Sequence, residues 1–263
     1  MNQGRWTAIL LAGQRPGIDP LAQAFGETWK ALVRVDGEAM LSRVAKTLLA
    51  SPSIERILVV AQQPEALFAG DCAWLADEPR VATAVSTSGI AASVAALAGT
   101  EQAPWPVLVT TADHPLLTPA MIETAVTDAS GADVGVGVVS SRTLLASYPD
   151  NRRTWLKFAG GAWTGANLFA LTSERARGPL LAWSEVERDR KKAFKLIWHF
   201  GPLLALRAAT RTITLRAALA KAGVRLGAIV RPVDLPFAEA GIDVDKPSDH
   251  ALAEQILARR EPS

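Results

Sequence analysis

Four short apolar runs rich in β-branched residues punctuate the first half of the chain: Thr7 to Ala12, Arg56 to Ala61, Pro106 to Thr111 and Asp133 to Val139. A strand covered on both faces loses the alternation of polar and apolar positions, so each run predicts a central, fully buried strand. Between them, apolar positions recur at helical spacing over Glu38 to Ala50, Ala91 to Ala98 and Pro119 to Ala129. The last of these carries Pro in its first turn, where a missing N–H costs nothing. Strand and helix therefore alternate, which predicts βαβ units and a mostly parallel sheet with helices on both faces. Ligands of such sheets bind beyond the carboxyl ends of the strands, so functional residues are expected just after each one.

The second half changes pattern. Two strands are expected at Thr154 to Phe158 and Trp163 to Leu171, followed by a long helical stretch from about Glu174 to Ala222. A last strand, Gly227 to Arg231, precedes a loop to Asp245, and Pro247 to Arg260 reads as a closing helix with Lys246 or a neighbour as its N-cap. No internal repeat, low-complexity tract or Gly/Ser-rich linker marks a boundary. The expectation is one α/β domain over residues 1–263 with a helical insertion at about 173–222.

Composition narrows the class. Of 263 residues, 49% are hydrophobic and 21% charged, which excludes disordered, collagen-like and coiled-coil chains. The single cysteine, Cys72, rules out an intrachain disulfide and a cysteine-based zinc site, and His114, His199 and His250 are too scattered to form a cluster. A reducing cytoplasm is the expected compartment. No apolar run approaches the roughly 20 residues of a membrane helix, and Met1 to Thr7 lacks the basic region of a signal peptide. A net charge of +2 is too small for general nucleic-acid binding but leaves room for a local phosphate pocket.

Candidate chemistry starts at the first predicted strand, which runs directly into Leu11-Ala12-Gly13-Gln14-Arg15-Pro16-Gly17, with Lys30 about a dozen residues on. A glycine loop at a strand end brings backbone N–H groups close to phosphates, and Arg15 and Lys30 supply neutralising charge. Together with Lys30-Ala31-Leu32, Asp36-Gly37 and Met40-Leu41-Ser42-Arg43-Val44, this opening resembles nucleotidyltransferases of the molybdenum-cofactor guanylyltransferase-like family. The chain departs from the family pattern at Gln14, where a second glycine is usual, and in extra residues around Ile18 to Thr28. The resemblance implies a single Rossmann-like sheet of the nucleotide-diphospho-sugar transferase type, with Leu11, Ala12, Gly13, Gln14 and Gly17 around the nucleotide and Arg15 and Lys30 on its phosphates.

Further stations follow the other strands. Thr110-Thr111-Ala112-Asp113-His114-Pro115 puts a carboxylate at a strand end, where it can hold Mg²⁺ against phosphate oxygens or serve as a turn residue. Ile242-Asp243-Val244-Asp245-Lys246-Pro247-Ser248-Asp249 alternates, which sends Asp243 and Asp245 to one side of an extended segment. The family resemblance makes Asp113 and Asp245 the preferred metal ligands, with Asp243 the neighbour to be tested, and leaves Asp249 to support the closing helix. Ser88-Gly89-Ile90-Ala91-Ala92-Ser93 is similar to the family's glycine and serine at a helix entry near the base, implicating Gly89 and Ser93; an Ala-rich packing helix is the plain alternative. Asn167 on an apolar strand among glycines, with Thr164 and Gly165, is implied to line the acceptor pocket.

The expected activity is Mg²⁺-dependent transfer of a nucleoside monophosphate from a nucleoside triphosphate to a phosphorylated acceptor, such as a sugar phosphate, an alcohol phosphate or molybdopterin, with release of pyrophosphate. A glycosyltransferase using a nucleotide sugar shares the architecture, and a non-catalytic nucleotide-binding protein is the third reading. The resemblance leaves about 173–222 unexplained. There Arg188, Arg190, Lys191, Lys192 and Lys195 precede Trp198, Phe200, Leu203, Leu204 and Leu206. Such a segment can pack on the sheet, form a homodimer contact, or dock peripherally at an anionic membrane.

Overall fold

A computed structural model of the chain describes residues 5–14, 17–86, 89–188, 206–207 and 209–260. Ten strands occur among them: β1 (Trp6–Leu11), β2 (Arg34–Val35), β3 (Glu38–Ala39), β4 (Ile54–Ala61), β5 (Val81–Val85), β6 (Val107–Thr111), β7 (Val134–Ser140), β8 (Leu156–Phe158), β9 (Gly161–Leu171) and β10 (Val230–Asp234). The helices that frame them are α1 (Pro20–Ala24), α2 (Met40–Ala50), α3 (Pro64–Leu67), α4 (Ile90–Leu97), α5 (Pro119–Asp128), α6 (Ser141–Ser147), α7 (Arg177–Arg188), α8 (Leu215–Arg225) and α9 (Pro247–Arg259). The sheet runs β10-β7-β9-β6-β1-β4-β5, with β8 paired to β9 and a separate β2–β3 ladder. All pairs in that run are parallel except those of β9, which lies antiparallel between β6 and β7.

The central strands show why apolar runs predicted them. On β1, Ala8 and Leu10 face one apolar layer and Ile9 and Leu11 the other, as a period of two requires. The first layer packs Met40, Leu41, Val44 and Leu48 of α2, Met121 and Ile122 of α5, and Ile256 and Leu257 of α9. The second takes Val94 of α4, Leu180 and Trp183 of α7, and Leu219 of α8. The expected two-faced parallel sheet is therefore present.

Three details differ from the sequence reading. The last strand starts at Val230, not Gly227, because residues 227–229 turn out of α8 with Gly227 at a φ of 72°. The edge strand β5 was not expected; its residues are only partly covered, so they lack the apolar signature of a central strand. The long helical stretch resolves, at its described ends, into α7 packed on α4 and α8 packed on β10. Those ends belong to the sheet's own helical layer. Arg190, Lys191, Lys192, Lys195, Trp198, Phe200, Leu203 and Leu204 lie outside the described residues, and no described helix is long and apolar enough to cross a membrane.

Candidate functional site

Three residues far apart in sequence meet at the carboxyl end of the sheet. Lys30 begins a single 3₁₀ turn, Lys30–Leu32, and its Nζ lies 2.6 Å from Asp113 Oδ2 and 2.5 Å from Asp245 Oδ1. Asp113 stands two residues beyond β6, and the backbone N–H of Val244 donates to the Asp113 carbonyl at 2.8 Å, which ties the Asp243–Asp245 segment beside it. The lysine side chain is 15% exposed. Burial works against its charge, but the Asp113 and Asp245 carboxylates outweigh that and raise its pKa above the ordinary lysine value, so it stays a cation at any pH of interest.

The donor set fits a hard divalent cation. Asp113 Oδ1 is buried without a hydrogen-bond partner, an uncompensated acceptor of the kind a cation satisfies. Among the described residues no cluster of three His, Cys, Asp or Glu side chains could hold a metal without other ligands. Two carboxylates completed by substrate phosphates and water are the usual environment of Mg²⁺.

The glycine loop approaches Lys30 through the residue at which the chain departs from the family pattern. Gln14 Oε1 accepts from the Lys30 N–H at 3.0 Å, and Gln14 Nε2 donates to the Thr28 carbonyl at 3.1 Å. Gln62, one residue past β4, clasps the Gln14 backbone, accepting from its N–H at 3.2 Å and donating to its carbonyl at 3.0 Å. A Cβ on Gly13 would stand 2.8 Å from Gln62 Oε1, so this clasp needs glycine there. Leu11 and Ala12 are buried and continue the ladder: the Leu11 carbonyl accepts from Ala112 and the Ala12 N–H donates to Val60. Gly17 is exposed, and Arg15, like Ser88, lies outside the described residues. Gln14→Ala removes the part-buried hydrogen bond to the Lys30 N–H and the exposed one to the Thr28 carbonyl. About a threefold to tenfold fall in turnover is expected at nearly unchanged melting temperature, as steady-state kinetics beside thermal unfolding would show.

Asp243 and Asp245 do not share a partner, which corrects the expectation that alternation turns both toward one cation. Asp243 Oδ1 is ion-paired with Arg153, whose other terminal nitrogen donates to the Asp243 carbonyl at 2.9 Å. Its Oδ2 accepts from Asn167 Nδ2 at 3.0 Å. Burial, with the Asp245 and Asp113 charges adding and Arg153 opposing, raises the Asp243 carboxyl above its usual range. Both oxygens are spoken for, so this carboxylate is a poor ligand. Asn167 owes its place to a bulge where β9 slips against β7 between Val136 and Val138, which leaves it at a φ of 47°, a conformation asparagine tolerates.

The other candidate residues divide between buried and exposed positions. Thr164 is buried, and its Cγ2 would lie 3.0 Å from a Cβ on Gly241, with Leu144 Cδ1 at 2.8 Å. It packs against Gly241, whereas Gly165 is exposed. Ser93 is also buried. Its hydroxyl donates to the Gly89 carbonyl at 3.0 Å and lies 2.8 Å from Ser86 Oγ, bracing the start of α4, while Gly89 at the N-cap is exposed. Asp249, in the first turn of α9, accepts from the Asp245 N–H with Oδ2 at 3.2 Å. Arg153 was missed: it lies in a polar loop before β8 with no motif around it.

His114, beside Asp113, is fully buried, and that burial pushes its pKa down to about 4 although the Asp113 charge opposes the shift. The unfolded chain binds a proton below about pH 6.5 that the folded chain refuses until about pH 4, so stability falls as pH drops through that window. At pH 5 this one group removes about 2 kcal/mol relative to neutral pH. Urea unfolding of the wild type and His114→Asn at pH 7 and pH 5 should show the acid loss much reduced in the variant; equal losses would assign it to other groups.

A glycine loop, a lysine and two carboxylates are thus gathered at the carboxyl edge of an open, mostly parallel sheet. Residues 8–195 match the model of the MobA-like NTP transferase domain, and the chain belongs to that family. A hypothetical transferase from Thermus thermophilus is similar in structure, with a TM-score of 0.77 and 28% identity over 94% of this chain and 99% of that one. The fold is also that of a 4-diphosphocytidyl-2C-methyl-D-erythritol synthase from Anaerococcus prevotii, at TM-score 0.58 and 11% identity over 98% of each chain. A CMP:2-keto-3-deoxy-manno-octonic acid synthetase complexed with CTP aligns at TM-score 0.60 and 14% identity, over 97% of this chain and 99% of the other. No curated protein matches the chain in sequence.

Proposed function

We propose that the chain is a Mg²⁺-dependent nucleotidyltransferase that moves a nucleoside monophosphate from a nucleoside triphosphate to a phosphorylated small-molecule acceptor. The observation that carries the reading is the meeting of Lys30, Asp113 and Asp245 beyond β1 and β6, beside the Gly13 loop. An acceptor phosphate oxygen attacks the α-phosphorus; a new P–O bond forms, the bond to the β-phosphate oxygen breaks, and pyrophosphate leaves with that electron pair. The acceptor phosphate is already ionised at neutral pH, so no general base is required. Catalysis is then positioning and charge neutralisation. Lys30, with Arg15 as a second cation, holds the triphosphate against the glycine loop. Asp113 and Asp245 would hold the Mg²⁺, which supplies Lewis-acid neutralisation of the phosphate oxygens.

Incubating the protein with Mg²⁺, each of the four common nucleoside triphosphates and a panel of sugar and alcohol phosphates, while following pyrophosphate release, tests the reading. Release that depends on one triphosphate and one acceptor class is the expected result. Absence of release across the panel, with a nucleotide sugar consumed instead, would make the chain a glycosyltransferase. The single carboxylate of Asp113-His114-Pro115, whose imidazole is buried, disfavours that outcome. Cytoplasmic residence and a single domain fit the same reading, and a homodimer or peripheral membrane contact through the basic segment would be compatible with it.

A further inference from the structure

We propose that Arg153 and Asn167 are positioning residues that act through Asp243 to present the Asp245 carboxylate beside Asp113. The inference rests on the nucleotidyltransferase reading and extends it to residues that touch neither nucleotide nor metal. The Asp245 side chain has little to hold it: it is 60% exposed, and among the described residues its carboxylate is bonded to Lys30 alone. Its position is set by the backbone: its own N–H donates to Asp249 Oδ2 at 3.2 Å, and the two residues before it carry the rest.

That backbone is gripped from three directions. The Arg153 guanidinium, 12% exposed, forks over the Asp243 carboxylate and the Asp243 carbonyl, so it fixes both the side chain and the peptide that leads into Val244. Asn167 takes the remaining carboxylate oxygen from the bulge in β9, and the Val244 N–H is bonded to the Asp113 carbonyl. Gly241, which packs against Leu144, Thr164 and Val139 with no space for a side chain, brings the loop down to this depth. A guanidinium fork on a carboxylate is directional in a way an ammonium is not. A buried ion pair is a weak source of stability, because desolvation offsets most of the attraction; its strength is in specifying one geometry. Residues that orient metal-binding carboxylates at one remove typically carry 10-fold to 100-fold of metal affinity.

Arg153→Lys and Asn167→Gly test the proposal. The first keeps the charge but loses the fork; the second removes the amide while leaving a residue that accepts a φ near 47°. Mn²⁺ is titrated by water-proton relaxation in the presence of the triphosphate that the wild type turns over, and thermal unfolding is recorded alongside. Both variants are expected to bind Mn²⁺ about 10-fold to 100-fold more weakly. Their metal requirement for turnover should rise in step, and each should remain folded at the assay temperature. Folded variants that bind Mn²⁺ as the wild type does would overturn the positioning role. Two variants that both unfold at assay temperature would overturn it as well, making the clamp a prop of the fold. A wild type that turns over no triphosphate sinks the functional reading itself, an outcome visible before either variant is made.

Discussion

Asp113→Asn abolishes turnover, by about a thousandfold or more, in a protein that still folds. The substitution keeps size and shape but removes the charge and turns half of the carboxylate into a donor. Asp113 Oδ1, buried and unpartnered, is then no longer a matched pair of oxygens for a hard cation. Losing one stabilising group in a preorganised anionic transition state costs a hundredfold to a thousandfold, and losing a charged metal ligand lies at or beyond the upper end. Asp245→Asn should follow the same course. Because Asp245 is largely exposed and Asp113 lies on a loop past β6, neither change opens a cavity. Pyrophosphate release together with circular dichroism melting separates the two effects. Activity within tenfold of wild type in either variant removes that residue from the metal site.

Lys30→Ala is expected to lower turnover by about a hundredfold, with a shift of only a few degrees in melting temperature. Two carboxylates 2.6 and 2.5 Å from one ammonium lose their shared counter-charge, so the folded state gains some repulsion between Asp113 and Asp245. The larger loss is catalytic. On the proposed reading a positioned cation neutralises charge that grows on the departing pyrophosphate, and among the described residues Lys30 is the cation paired with both carboxylates. Arginine should not rescue it, since a planar guanidinium cannot occupy the compact place of an ammonium between two oxygens. Steady-state kinetics of Lys30→Ala and Lys30→Arg beside calorimetry checks this. Activity and stability falling in proportion would make Lys30 a structural residue.

Much of this site was legible in the sequence because its residues sit where strands stop. β1, β4, β6 and β7 are covered on both faces, so their apolar runs mark them, and Gly13 and Asp113 follow from their ends. β5 escaped because an edge strand needs few apolar residues, and β10 slid by three because Gly227-Ala228-Ile229 imitates a strand while serving as a turn. Arg153 was invisible for a different reason. A loop arginine announces nothing until the fold sets it across from Asp243, ninety residues away. Asn167 did leave a trace, since asparagine inside an apolar strand is costly unless a bulge gives it a left-handed backbone. Gln14, a break in the family pattern, turned out to be the link between the glycine loop and Lys30.

The Lys30–Asp245 bond spans 215 positions of sequence, and that distance has a kinetic side. During synthesis the glycine loop and the lysine emerge first, Asp113 next, and the segment bearing Asp245 last of these. Closing so long a loop is slow and entropically unfavourable until the strands between are in place. The lysine must therefore wait, with Asp113 as one of its two carboxylate partners, for the other. On the proposed reading, a nascent or partly refolded chain would carry most of its sheet and yet bind a metal–nucleotide complex weakly. Ligand binding during refolding then reports the docking of the final loop, a clock for the last step of assembly and not for collapse of the core.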